Sequence, residues 1–101
     1  MVLTTTNNIE GFRIIEYKGL VTGLAINEQK LAAGFSVTKY YKAVKESIAI
    51  VKEEAFQDLA VNAKKLNANA VVGVKVELEL TASNYAIVSV TGTAVSVATD
   101  K

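Results

Sequence analysis

The sequence contains no cysteine, histidine, tryptophan or proline. Without cysteine the chain has neither disulfides nor a thiol redox centre, which suits a reducing compartment. Without histidine it lacks the commonest general base and the commonest transition-metal ligand. Because a nucleophile also needs an activating base, we expect no catalytic residues, no bound cofactor and no enzyme activity in the isolated chain.

The sequence also lacks an excess of charge of one sign and long apolar runs. Eleven basic residues nearly balance ten acidic ones, and no basic stretch stands out, so nucleic-acid binding is not expected. No apolar run approaches the roughly 20 residues of a membrane-spanning helix. The segment Met1 to Asn8 lacks the basic region and apolar block of a signal peptide. These absences predict a cytoplasmic protein with neither a membrane nor a nucleic acid as partner.

The length of 101 residues favours one domain, spanning residues 1–101. Half of the residues are hydrophobic, which is rich for so short a globular chain. We therefore expect some apolar surface to be covered by other copies of the chain, which predicts a homo-oligomer.

The most regular pattern lies between Asn67 and Val97. Apolar residues first occupy alternate positions, which predicts a strand with one apolar face: Ala70, Val72, Val74, Val76, Leu78 and Leu80. After a short loop at Ala82 to Asn84, the stretch from Tyr85 onwards predicts a return strand that is apolar on both faces. A strand of this kind is usually covered on both sides, and we expect another subunit to provide the second cover.

Upstream of this hairpin the pattern predicts two strands and a helix. Val2 to Thr6 is typical of a short edge strand, and Phe12 to Ile26 of a long strand with a bulge near Gly19. Thr38 to Leu66 carries apolar residues at spacings of three and four, which predicts a long helix. Asn27 to Val37 is predicted to be mainly loop. The order β-β-α-β-β indicates an α+β domain.

Three blocks of residues resemble the YbjQ-like family of small bacterial and archaeal proteins. They are Thr4 to Gly11, Asn67 to Val74 and Gly92 to Val95. The resemblance implies an antiparallel sheet crossed by one long helix, assembled into a homopentameric ring, and it implies no reaction. The chain departs from the family pattern at two places. Asn67 replaces a glycine at the helix end, and Asn27 to Tyr41 is shorter than the family's Gly/Arg/Ser-rich stretch and has no arginine.

The family carries the label "putative heavy-metal-binding", yet soft metals prefer thiolate or imidazole ligands, and this chain has neither. Carboxylates remain, and Glu77 and Glu79 point to the same side of one predicted strand. Contributed by several subunits, they would suit a hard divalent cation. The alternative, which we favour, is a solvated strand face.

A second candidate cluster is the polar segment Thr4, Thr5, Thr6 and Asn7. Its hydroxyls and amide would suit a ligand, an anion or a subunit contact. The alternative, which we favour, is an edge strand followed by a polar turn. The sequence thus predicts a small oligomeric protein that is structural or ligand-binding and has no catalytic machinery, and the resemblance implies that the oligomer is a homopentamer. Metal binding by carboxylates of several subunits is the alternative.

Overall fold

The computed structural model describes residues 1–28 and 37–100. Four strands and one long helix follow in the order β1 (Val2–Leu3), β2 (Phe12–Glu28), α1 (Val37–Lys65), β3 (Ala70–Leu80) and β4 (Tyr85–Thr99). The predicted α+β order β-β-α-β-β is therefore confirmed. Most of the predicted loop lies outside the described residues, and its first two residues belong to β2.

The strands form one sheet in the order β1-β3-β4-β2. Both long pairings, β2 with β4 and β3 with β4, are antiparallel. The expectation of a purely antiparallel sheet is wrong, because β1 runs parallel to β3, with Val2 beside Ala70 and Leu3 beside Val71. The sheet is mixed because β1 and β2, which follow each other in the chain, lie at opposite edges and run in the same direction.

The predicted bulge near Gly19 is confirmed, and it is one of two in β2. The pairing with β4 shifts between Ile14 and Glu16, and again between Tyr17 and Gly19. Gly19 has a φ of 118°, in a region that side chains with a Cβ rarely adopt. The bulges bend the first half of β2 without ending the strand.

A third bulge corrects the prediction for β3. The pairing with β4 shifts between Val72 and Lys75, and Gly73 adopts a φ of 62°. The extra residue moves later side chains to the opposite face. Ala70 and Val72 therefore lie on one face of the sheet, and the later apolar residues of β3 lie on the other. The prediction that all the alternating apolar residues of β3 share one face was therefore wrong for Ala70 and Val72.

Helix α1 packs on one face of the sheet, which we call the helix face, and the opposite face is the open face. The main core lies between α1 and the sheet, and its helix residues are Val51, Ala55, Leu59 and Ala63. Gly23 of β2 allows the closest approach. A Cβ there would lie 2.2 Å from the carbonyl oxygen of Ala55 and 2.5 Å from the nitrogen of Leu59. Only glycine lets the helix lie this near the strand.

The open face has its own small core at one end. Ala70, Val72 and Val95 are buried there, and Ile9, from the segment between β1 and β2, packs against them. The rest of the open face carries no covering element among the described residues. The whole molecule is elongated, with extents of 59 × 22 × 16 Å. Its radius of gyration is 16.8 Å, whereas about 13 Å is typical of a compact chain of this length.

The end of α1 explains the asparagine at position 67. Asn67 has a φ of 62°, and its N–H donates to the carbonyl of Lys64 at 2.9 Å. The N–H of Ala68 donates to the carbonyl of Ala63 at 3.1 Å. These two bonds form a Schellman motif, in which Asn is the usual substitute for Gly at the left-handed position.

Candidate functional site

Glu77 and Glu79 lie on the open face of β3, where both are exposed. Ser89 and Ile87 of β4 lie opposite them. The same-face prediction is thus confirmed. Within the described residues, no group of three or more Asp, Glu, His or Cys side chains is placed to hold a metal ion. A metal at these two carboxylates would need further ligands from another subunit.

The hydroxyls of Thr4 and Thr6 are bonded locally. The Oγ1 atoms of Thr4 and Thr6 lie 2.8 Å apart, and the Oγ1 of Thr6 also donates to the carbonyl of Asn8. The backbone carbonyls of Thr4 and Thr6 accept the N–H groups of Val74 and Gly73 at 3.0 and 2.8 Å. The segment therefore binds the bulge of β3 and extends the pairing beyond β1. This geometry supports the structural interpretation of the segment.

A small apolar cavity lies beside this segment. Its volume is about 130 Å³, and its lining comes from the first strand, the helix and β3: Leu3, Thr4, Thr5, Phe56, Val74 and Val76. In the described part of the chain, no buried side-chain nitrogen or oxygen lacks a hydrogen-bond partner. No unpaired buried polar side chain is therefore available to recognise a polar ligand at this cavity.

A second cavity, of about 70 Å³, lies at the tip of the β3–β4 hairpin. Tyr40 and Val44 of α1 line one side, and Leu80, Asn84 and Tyr85 belong to the other. The ring of Tyr40 also contacts that of Tyr41, with the ring centroids 5.5 Å apart and the ring planes tilted by 48°. Both tyrosines lie near the start of the helix, and Tyr41 is 65% exposed.

Asn69, which lies in the second of the three blocks that resemble the family, has a structural role. Asn69 uses its amide group to extend the sheet: its Oδ1 accepts the N–H of Val97 at 2.8 Å, and its Nδ2 donates to the carbonyl of the same residue at 3.0 Å. Its own N–H donates to the carbonyl of Val95. The side chain of Asn69 thereby takes the place of a strand residue just before the start of β3.

Two helix side chains that the sequence analysis did not single out cover the outer edge of β2. The carboxylate of Asp58 accepts the N–H of Leu24 at 2.9 Å, and the Nδ2 of Asn62 donates to the carbonyl of Thr22 at 2.8 Å. Asp58 and Asn62 are four residues apart, so they project from the same side of the helix. They protect this part of the edge from pairing with another strand. The partners of Asp58 and Asn62 are more than 30 residues away in sequence, so no local sequence pattern predicts these two hydrogen bonds.

Two apolar stripes remain exposed. The β2 stripe lies on the open face and consists of Leu20, Leu24 and Ile26, whose exposed fractions are 81, 50 and 55%. The β3 stripe lies on the helix face and consists of Val76, Leu78 and Leu80, with 41, 48 and 59% exposed. Three large side chains in a row expose on the order of 300 Å² of apolar surface, and patches of this size often mark an interaction site.

Comparison with known proteins identifies the family of this fold. A family described as "Putative heavy-metal-binding" matches residues 1–98. The chain belongs to this YbjQ-like family. A "UPF0145 protein" of Clostridium kluyveri is 36% identical, over 96% of this chain and 99% of its own length. A protein of the same description from Actinobacillus pleuropneumoniae is 37% identical, over 94% of this chain and 97% of its own.

A crystal structure shares the fold of this YbjQ-like chain. It is described as a protein of unknown function of the DUF74 family from Pediococcus pentosaceus, and it superposes with a TM-score of 0.71. The alignment covers 97% of this chain and 98% of that one, at 22% sequence identity. The likeness confirms the architecture and carries no information about a ligand. Among the described residues, no helix is long and apolar enough to span a membrane.

Proposed function

We propose that this YbjQ-like chain is a non-catalytic subunit of a homopentameric ring, with a structural or ligand-binding role in the cytoplasm. The β2 stripe is the observation that carries the proposal. Leu20, Leu24 and Ile26 are large, apolar and at least half exposed, although smaller residues of the same strand, Val21 and Ala25, are buried against the helix. In water, covering such a stripe with a second subunit is strongly favourable.

The shape of the subunit supports the same proposal. A chain that is 59 Å long and 16 Å thick exposes more surface than a compact domain of its length. A closed ring of more than two copies requires two different contact surfaces on each subunit. The described residues offer candidates on both faces, because the β2 stripe is on the open face and α1 exposes Ile50 and Val61 on its outer side.

Native mass spectrometry of the purified protein tests this assembly. We expect a species of five subunits for the wild-type chain, and dissociation towards monomers for Leu20→Lys. Thr91→Lys is the matched control, because Thr91 lies on the same face but is small and polar. A wild-type protein that is monomeric at micromolar concentration, or a pentamer insensitive to Leu20→Lys, would contradict the assignment of the β2 stripe as a contact.

Divalent-metal binding is the second candidate function, and the shared orientation of Glu77 and Glu79 is the observation that favours it. A hard cation such as Mg²⁺, Mn²⁺ or Ca²⁺ takes six or more oxygen ligands, which two carboxylates of one strand cannot supply alone. Carboxylates of neighbouring subunits would complete the set. Calorimetric titration of the assembled protein should show fixed stoichiometry per ring, lost in Glu77→Gln but retained in Glu53→Gln. Absence of heat with any of these cations would remove this candidate.

A further inference from the structure

The outer edge of β3 is open from Lys75 to Leu80. The last bond that the N-terminal segment makes with β3 is from the N–H of Val74 to the carbonyl of Thr4. Backbone groups alternate in direction along a strand, so the N–H and C=O groups of Val76 and Leu78 point the same way as the Val74 N–H, away from β4. No group of the described residues pairs with them. They form a regular edge ready to bind another strand.

The other edges of the sheet do not match this one. Asp58 and Asn62 occupy the edge of β2 at residues 22–24. Earlier in β2, the bulges place the outward-facing residues three positions apart, at Ile14, Tyr17 and Leu20, whereas an ordinary ladder repeats every two residues. The strand β1 has only two residues. The last residues of β2 keep the two-residue spacing, but beyond Leu24 they offer only Ile26 and Glu28. Among the described strands, therefore, a second β3 is the one that matches the full open edge from Val76 to Leu80.

We propose that β3 of one copy pairs with β3 of a second copy, antiparallel and centred on Glu77. The inference goes beyond the ring proposed above. A two-fold joint uses the same surface on both copies and cannot lie within a five-fold ring, so it links a subunit of one ring to a subunit of a second ring. Val76 then exchanges both backbone hydrogen bonds with Leu78 of the second copy, and Leu78 does so with Val76. The two-fold axis stands perpendicular to the sheet, so both helices remain on the same side and the two β3 stripes adjoin.

Backbone bonding and charge together favour this register. Lys75 lies opposite Glu79 of the second copy, and symmetry creates this pair twice, while Glu77 faces its own equivalent once. Centring on Val76 would oppose Lys75 and Glu77 twice, but it would set Leu78 against Val74, whose N–H is already bonded to Thr4. Shifting the centre to Leu78 would instead oppose Glu77 and Glu79 twice and leave Lys75 without an opposite charge. Directly opposed unlike charges stabilise a strand pair by about 0.2–1 kcal/mol, and like charges destabilise it. Centring on Glu77 gives two favourable pairs for one unfavourable pair.

The apolar residues also fit this register. Leu80 of the second copy ends beside Thr4, which occupies the edge at Val74, and next to the cavity of about 130 Å³ that Leu3, Phe56 and Val76 help to line. More than half of Leu80 is exposed in the single subunit. The joint therefore covers two apolar surfaces. One is the side chain of Leu80 at the end of one β3 stripe, and the other is the lining of the cavity at the start of the second copy's β3 stripe.

Cysteine cross-linking tests the joint, and the chain has no native cysteine to interfere. In an antiparallel pair, directly opposed residues that are not hydrogen-bonded have Cα atoms about 4.5 Å apart, which lies within the range for a disulfide. Under mild oxidation we expect the E77C variant to form linked dimers at least ~10-fold faster than K75C or E79C, whose equivalent residues would be about 13 Å apart. Mixing K75C with E79C should give the mixed dimer in preference to either homodimer.

Two results would overturn the joint: E77C linking no faster than K75C, or the mixture of K75C and E79C giving no excess of the mixed dimer. All three sites are exposed, so the variants are matched in access to the oxidant. Native mass spectrometry of the same samples separates this joint from the ring. If the E77C variant forms pentamers but no disulfide-linked dimers, the ring is supported and the joint is refuted. Linked E77C dimers without any five-fold species would support the joint and refute the ring.

Discussion

Adding a single methyl group at Gly23 should displace helix α1 from the sheet. A Cβ at this position would lie 2.2 Å from the Ala55 carbonyl oxygen, 2.5 Å from the Leu59 nitrogen and 2.8 Å from the Leu59 Cβ. The first two are backbone atoms inside a helix, so they cannot rotate away as a side chain would. Gly23→Ala therefore forces the whole helix or the whole strand to move.

The expected loss of stability comes from two sources. Overpacking in a well-packed core destabilises by about 1–3 kcal/mol. Moving the helix also stretches the bonds from Asp58 to Leu24 and from Asn62 to Thr22, each of which contributes about 1 kcal/mol. We expect Gly23→Ala to lower the free energy of unfolding by about 2–4 kcal/mol, a large part of the 5–15 kcal/mol typical of a folded domain.

Urea denaturation followed by far-ultraviolet circular dichroism measures this loss, with all variants at one protein concentration because self-association shifts the midpoint. Gly92→Ala is the matched control. There the added Cβ first meets Cγ1 of Val71, a side-chain atom, at 2.5 Å, and the nearest backbone atom is 3.1 Å away. It should destabilise less than Gly23→Ala. A loss below about 0.5 kcal/mol for Gly23→Ala, the range of ordinary surface substitutions, would refute the close approach of α1 to β2.

Substitutions at three further positions test local features of the fold by the same denaturation assay. Asn67→Gly should leave stability unchanged or raise it slightly, because Gly has no Cβ to disfavour the left-handed φ of 62°. Asn67→Ala should lose about 1 kcal/mol, because Ala lacks the short polar side chain that lets Asn adopt this conformation; equal effects would contradict this helix end. Asn69→Ala should lose about 1–3 kcal/mol with its two bonds to Val97, and Asn69→Asp should recover only the accepting bond. Asp58→Ala should cost about 1–2 kcal/mol in the wild type but less in Gly23→Ala, because displacement of the helix already weakens the bond to Leu24; additive losses would refute that coupling.

The candidate site was predicted from the sequence only in part. Alternation placed Glu77 and Glu79 on one face, and the structure confirms this placement. The sequence shows directly that histidine and cysteine are absent, and this absence limits the metals that the chain could hold. Whether carboxylates from other subunits join the pair depends on the assembly, and a pattern within one strand carries no information about a second chain.

The choice of buried face in β2 was beyond sequence reasoning. One set of alternate positions holds Leu20, Leu24 and Ile26, and the other holds Val21, Gly23 and Ala25. Hydrophobicity alone favours burying the larger set. The structure buries the smaller one, because small side chains let α1 approach the strand closely. Close packing of a helix on a sheet depends on the shape of both surfaces, and that shape appears only when the two are brought together.

Local chemistry therefore determined the elements of this protein. Periodicities of two and of three to four set the strands and the helix, and backbone preferences set the bulge near Gly19 and the helix end at Asn67. The tertiary structure decided the rest: the parallel direction of β1, the change of face at Gly73 and the covering of the β2 edge by Asp58 and Asn62. Each of these depends on residues far apart in the chain, whose contacts form only once the elements have packed. The same packing leaves two apolar stripes exposed, and it leaves the outer edge of β3 unpaired by any of the described residues.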